Sequence, residues 1–240
     1  MAGQRRRRIL DLLAAGDPAT VSTSRLGEVC AEVTATSGAG IMLMSGDVPR
    51  GSLCTTDDVS AVIEQLQYEL GEGPCVDAYN QDRPVAEPDL AHPAEPRWLA
   101  FAGPALDAGA RAVFGFPLRV GAVRLGALNL YTARAGGLTD DQHADALAVA
   151  GVAAESVLLL QAEAPPGRLA AELELNADFQ YAVHQAAGMV AAQLEVTVAQ
   201  AQIRLRAYSF GNDRPLHEVA ADVVARRLRF DADADDSGPS

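Results

Sequence analysis

The stretch AVFGFPLRVGAVRLGALNLY, from Ala112 to Tyr131, decides the fold of the larger part of this chain. Ala112–Leu118 and Val123–Tyr131 are rich in valine, leucine and aromatic residues. Val120-Gly121-Ala122 lies between them as a turn, so the two runs read as a hairpin. Towards the N terminus, Ile41-Met42-Leu43-Met44 follows Gly38 and Gly40 and reads as a buried strand. A second strand falls near Ser52–Thr55, and Val85 is a short strand or turn. Helical spacing puts Leu26, Val29, Cys30 and Val33 on one face of Ser24–Val33. Val59–Leu66 is also helical, as is the segment holding Trp98, Phe101 and Leu106. Gly71, Gly73 and Pro74 mark a loop. Beyond the hairpin, Thr139 to about Glu163 is a long helix that ends the domain, and Ala164-Pro165-Pro166-Gly167 is a linker or kink. The outcome is an α+β domain over residues 22–163, followed by a linker over 164–175.

The remainder, NADFQYAVHQAAGMVAAQLEVTVAQAQIRLRAYSFGNDRPLHEVAADVVARRLRF (Asn176–Phe230), reads as an all-α module of three short helices. Val183, Ala186, Ala187, Val190 and Leu194 form the apolar stripe of the first. Thr197 with Gln200 is a capping-box signature that starts the second, with Val198, Ala201, Leu205 and Tyr208 inward. Gly211-Asn212-Asp213 breaks it. Pro215 suits the first turn of the third, with Leu216, Val219, Ala220, Val223 and Leu228 inward. His184, Gln185, Arg204, Arg206, Arg226, Arg227 and Arg229 fall outside. A unit this small buries little apolar surface and serves better as a docking surface than as an enzyme pocket.

Composition bounds the function. The 240 residues are 49% hydrophobic, enough for a proper core, and all 19 basic residues are arginine. The net charge of −13 argues against indiscriminate nucleic-acid binding. Within Asn176–Phe230, however, six arginines (204, 206, 214, 226, 227, 229) face five acids (Asp178, Glu195, Asp213, Glu218, Asp222), so that module is near neutral. Cys30, Cys54 and Cys75 have no close pairing, which indicates a reducing, cytoplasmic compartment. Neither a targeting segment nor an unbroken membrane span is read; the apolar run near Leu147–Leu160 is interrupted by Glu155 and Ser156. Residues 1–21 form an N-terminal basic arm or helix, and Arg5–Arg8 read as a solvated arm. Residues 231–240 are an acidic, disordered tail. Cysteine and histidine spacings match no metal site, and neither a phosphate loop nor a nucleophile elbow is present, so an enzyme is not expected and no cofactor is assigned.

Two family resemblances extend these readings. The segments LGEGPCVDA (Leu70–Ala78), RPVAEPDL (Arg83–Leu90) and FGFPLRVGAVRLGALNLY (Phe114–Tyr131), in that order, resemble the GAF family of sensory domains. The resemblance implies a central antiparallel sheet with helices on both sides and a small-molecule pocket on one face. It points to Gly73, Cys75, Asp77, Phe114 and Phe116 as pocket residues. The Asn-Lys-Phe-Asp-Glu signature of many cyclic-nucleotide-binding GAF domains is absent from the sequence. VHQAAGMV (Val183–Val190), AQIRLRAYS (Ala201–Ser209) and RPLHEVAADVV (Arg214–Val224) resemble the ANTAR family of RNA-binding, three-helix antitermination modules. That resemblance makes His184, Gln185, Gly188, Arg204, Arg206, Arg226 and Arg227 the RNA-contacting set. Ala187 stands where the family usually has a basic or polar residue, and its loss is expected to weaken or retune RNA binding.

The expected function is therefore a cytoplasmic, signal-responsive regulator. Its GAF-like domain senses a ligand or partner, and its ANTAR-like domain binds RNA stem-loops in nascent transcripts to control antitermination. The alternative is a protein-interaction regulator whose ANTAR-like module no longer binds RNA. The apolar surplus of the 139–163 helix predicts a homodimer through that helix. Cys75, flanked by Glu72 and Asp77, reads as a buried structural side chain rather than an activated thiol.

Overall fold

The computed structural model describes residues 2–15, 23–45, 48–162, 178–212 and 214–230. The chain divides into two compact units, Met1–Asn176 and Ala177–Ser240. The linker 164–175 and the tail 231–240 expected from the sequence lie outside the described residues.

The first unit is built on a five-stranded antiparallel sheet in the order β2-β1-β5-β4-β3. Its strands are β1 (Gly38–Ser45), β2 (Val48–Thr55), β3 (Val85–Glu87), β4 (Ala112–Val120) and β5 (Val123–Thr132). The hairpin of β4 and β5 turns where glycine suits it, with Gly121 at φ 60°. Alternation along the strands divides the sheet into two faces. One is covered by α2 (Thr23–Thr34) and α6 (Asp140–Ala162), where Ile41, Phe114, Phe116, Leu118, Leu128 and Leu130 join one apolar cluster with Leu26, Val149 and Ala153. The other is covered by α3 (Asp58–Leu70) and α4 (Pro74–Gln81).

Local chemistry starts and stops these helices. Asp57 caps α3 by accepting from the Ser60 amide at 2.7 Å, and Ser60 Oγ closes the box on the Asp57 amide. Gly71, at φ 69°, ends α3, and its N–H returns to the Gln67 carbonyl. Pro74 then occupies the first turn of α4, a helix where the sequence reading has a loop. The Gly71–Pro74 run is both a stop and a start. Trp98 and Phe101 precede α5 (Ala102–Asp107) rather than sit on it. Trp98 is held at φ 56°, rare for a bulky residue, while its indole Nε1 donates to Asp77 at 3.0 Å and Arg97 stacks on its ring.

Residues 2–14 are not a solvated arm. They form α1 (Ala2–Ala14), whose Ile9 is fully buried in the cluster shared with α2 and α6. Arg5 reaches Asp141 at 2.6 Å and also Asp145, and Arg6 pairs with Glu155, all on α6. Two of the four arginines are thus paired within the chain, while Arg7 and Arg8 stay exposed.

This packing accounts for much of the apolar surplus of the 139–163 helix. α6 has the length and apolarity to cross a membrane, with mean hydropathy 1.5 in its best window. Its apolar residues face inward, however. Ala146, Val149, Ala150, Val152, Ala153, Ala154 and Val157 are all buried, against the sheet on one side and α1 and α2 on others. A helix covered on several sides needs apolar residues nearly all round. Leu147 and Leu159 are its exposed large apolar side chains.

The second unit is three helices: α7 (Asp178–Leu194), α8 (Val198–Gly211) and α9 (Leu216–Val224). Val183, Ala186, Ala187, Val190, Ala201, Leu205, Leu216, Val219, Ala220 and Val223 are buried as the periodicity predicts. The Thr197–Gln200 capping box forms in full, with Gln200 N donating to Thr197 Oγ1 at 3.2 Å. One inward assignment fails. Val198 is 51% exposed, because the first turn of α8 runs ahead of the bundle's contact region.

Candidate ligand site and candidate nucleic-acid face

The side of the sheet under α3 and α4 holds a group of polar side chains with no access to water. Glu64 on α3 is 2% exposed, and Gln67 on α3 and Asn129 on β5 are fully buried. Neither carboxylate oxygen of Glu64 completes a hydrogen bond within the protein, nor does either polar atom of the Asn129 amide, nor Gln67 Nε2. Gln67 Oε1 is used: it accepts from the Cys75 amide at 2.7 Å. Buried polar groups are almost always paired, and each orphan costs about 1–3 kcal/mol. Five such atoms in one place is a concentration that folding alone does not favour.

Glycines make the room. Gly40 pairs with Asn129 across β1 and β5, and a Cβ there would come within 2.7 Å of Glu64 Oε1. At Gly115 a Cβ would lie 2.2 Å from the Pro74 carbonyl oxygen, so only glycine lets α4 rest on β4. Burial pushes the Glu64 carboxyl up to about 8; Asn129 approaches it and offsets a little of that rise, at a geometry short of a hydrogen bond. The same burial raises Cys75, with the Glu64 charge adding to it, so its thiol stays neutral and is not an activated nucleophile. The sulfur is 4.0 Å from the Ala127 carbonyl oxygen.

Two of the sequence-assigned pocket residues, Gly73 and Cys75, border this group, and Asp77 lies on the same helix. Gly73 caps α4 and abuts Gln67, Cys75 lies one residue inside α4, and Asp77 ties α4 to Trp98. Phe114 and Phe116 do not. They point through the opposite face into the α2–α6 cluster, where the Phe116 ring lies 5.2 Å from that of His143. Even-numbered positions of β4 face α6, while Gly115 between them faces α4. Glu64, Gln67 and Asn129 were missed by sequence reasoning. An acid on an amphipathic helix reads as solvated, and the only hint was glycine within strands at 40 and 115.

On the second unit, Gln185, Gly188, Arg204, Arg226 and Arg227 are exposed, while His184 and Arg206 are half-buried. His184 Nδ1 lies 3.3 Å from Nε2 of the buried Gln202, which fixes its ring against α8. Arg227 bonds Asp222, which Arg214 also engages at 2.7 Å, and these partners hold Asp222 below the usual carboxylate range. Arg227 is therefore partly neutralised, and Arg226 sits in a left-handed turn at φ 59°. Ala187, which the periodicity puts in the apolar stripe and the ANTAR resemblance at a contact position, is fully buried between the helices. Nothing outside the bundle can touch it. Among the described residues, no group of His, Cys, Asp and Glu is placed to hold a metal ion.

The GAF domain family profile matches residues 19–158, which is more than half of the chain, and the chain belongs to the GAF family. Membership carries a ligand-sensing signalling role. The chain is similar to a domain of a two-component sensor histidine kinase from Sinorhizobium meliloti, with TM-score 0.46, 16% identity, and coverage of 57% of this chain and 89% of that one. It is similar also to the GAF domain of a phosphoenolpyruvate-protein phosphotransferase from Coxiella burnetii, with TM-score 0.48 and 13% identity over 68% of this chain and 95% of that one. A third, the corresponding Acinetobacter domain, has TM-score 0.46 and 12% identity over 68% and 96%. No curated protein matches the chain.

Proposed function

We propose that the chain is a cytoplasmic, signal-responsive regulator whose GAF unit binds a small polar molecule at Glu64, Gln67 and Asn129. Its three-helix unit, in this reading, binds RNA stem-loops to control transcription antitermination. The sensing half rests on the five orphaned polar atoms under α3 and α4, which a ligand would satisfy.

The RNA half rests on the ANTAR resemblance and on Gly188. Glycine inside a helix costs about 1 kcal/mol relative to alanine. A Cβ at Gly188 would meet nothing within 4 Å, so the bundle gives no reason for it. Close approach of a partner would, with Gln185 and His184 one turn away and Arg204 exposed on α8. A gel-shift titration with paired-hairpin RNA tests this. Gly188→Ala and Arg204→Ala are expected to lose affinity while the unit stays folded; unchanged binding by both removes RNA from this face.

One observation favours the second reading, a protein partner. Ile203 and Phe210 are 63% and 72% exposed and lie seven residues apart, hence on one side of α8. Absence of any hairpin RNA binding by the wild type selects that reading. A homodimer through the 139–163 helix would use the exposed Leu147 and Leu159, and sedimentation-equilibrium centrifugation decides whether it forms.

A further inference from the structure

The Glu64–Gln67–Asn129 group does more than predict that some ligand binds; its chemistry selects the charge of that ligand. Resting on the site proposed above, we infer that the bound molecule is a small organic cation, presenting a primary ammonium or a guanidinium to the Glu64 carboxylate with Asn129 Oδ1 as second acceptor. Three of the orphaned atoms are acceptors: both Glu64 oxygens and Asn129 Oδ1. The chain has no lysine, and none of its described arginines reaches either Glu64 oxygen. A buried carboxylate without a cation is the costly arrangement, and pairing with a hydrogen-bonding cation is what relieves it. An anionic ligand would meet Glu64 head-on. The two remaining donors, Gln67 Nε2 and Asn129 Nδ2, are left for a hydroxyl or carbonyl oxygen on the same molecule.

The groups around Glu64 leave it as the titrating member. Cys75 faces it from α4, while Cys54 of β2 lies on the α2 side of the sheet; both thiols are raised by burial, that of Cys54 to about 12. Gly40 and Met42 of β1 and Asn129 of β5 carry no charge, and Tyr68 is the remaining titratable neighbour on α3. In the free protein at neutral pH the buried carboxyl holds its proton. Binding therefore transfers that proton to solvent, and the ammonium or guanidinium takes its place as counter-charge. Affinity rises with pH up to about 8 and then levels off, since above that value no proton has to leave.

The test uses the full chain and probes of matched size: methylammonium and methylguanidinium as cations, acetamide as neutral, acetate as anion. NMR follows the side-chain amides of Asn129 and Gln67 and the carboxyl carbon of Glu64. The cations are expected to shift both amides, and at about ten times Kd to lower the Glu64 midpoint by about one pH unit. Glu64→Gln keeps shape and hydrogen-bonding capacity and is expected to weaken cation binding at least tenfold. The midpoint shift is read in wild type, so the inference stands or falls even if that variant does not fold. Shifts with acetamide or acetate but not with the cations overturn the charge assignment and leave the site in place. Silence of all four probes at these amides removes the site as well.

Discussion

The two units put their unusual polarity in opposite places. In the GAF unit the outer surface is ordinary and the anomaly is inside, where Glu64, Gln67 and Asn129 are buried with orphaned atoms. In the three-helix unit the core is valine, leucine and alanine apart from the buried Gln202, and the larger anomaly is outside, as an unneeded Gly188 and exposed Ile203 and Phe210. A domain that must enclose a small molecule accepts instability in its interior.

The contrast can be broken most severely at Ala187. Ala187→Lys forces an ammonium into the bundle interior, and a buried unpaired charge costs about 3–5 kcal/mol or more. The three-helix unit is expected to lose its dispersed amide spectrum rather than gain RNA affinity, while GAF-unit signals persist. On the other side, Ile9→Ala is expected to destabilise the GAF unit by about 2–4 kcal/mol in urea unfolding, as befits a core residue. A change under about 0.5 kcal/mol would return α1 to the status of an arm.

Glu64→Gln reads the interior anomaly through pH. The native carboxyl sits near 8 against 4.5 when unfolded, so the native state holds the proton across that interval and stability declines as pH rises from 4.5 to 8. The decline is absent below 4.5 and complete above 8. Glutamine is therefore expected to gain about 5 kcal/mol over wild type at pH 9 and little at pH 4, by thermal unfolding at both values. Smaller effects sharpen the plain character of the second unit. Thr197→Ala removes the α8 cap at a cost of about 1 kcal/mol. Val198→Ser should change stability by no more than about 0.5 kcal/mol, because that side chain is half in water.

Much of the fold was legible because its signals are local. The β4–β5 hairpin, the Thr197–Gln200 box, the end of α8 at Gly211 and the inward face Leu216–Val223 follow from spacing, turn chemistry and capping. α4 was missed although Gly73-Pro74 is a helix start, because two flanking glycines dominate the reading. The choice between arm and helix for residues 1–21 stayed open for a different reason. Four successive arginines read as solvent-facing until Asp141, Asp145 and Glu155 are known to lie opposite two of them.

The candidate site was less legible. Cys75 and Asp77 came near it through a family resemblance, yet Phe114 and Phe116 went to the wrong side of the sheet. Period-two alternation says that neighbours part company but not which helix layer each one meets.

By itself, then, the sequence determined most of the elements and their order, the division into two units and the core face of the C-terminal helices, since each depends on residues within a few turns of one another. Only the tertiary structure decided which carboxyl is dry. Glu64 lies far along the chain from Gly40 on one side and Asn129 on the other. Their meeting under α3 depends on sheet register and on glycines that let the layers close, and no local pattern encodes that.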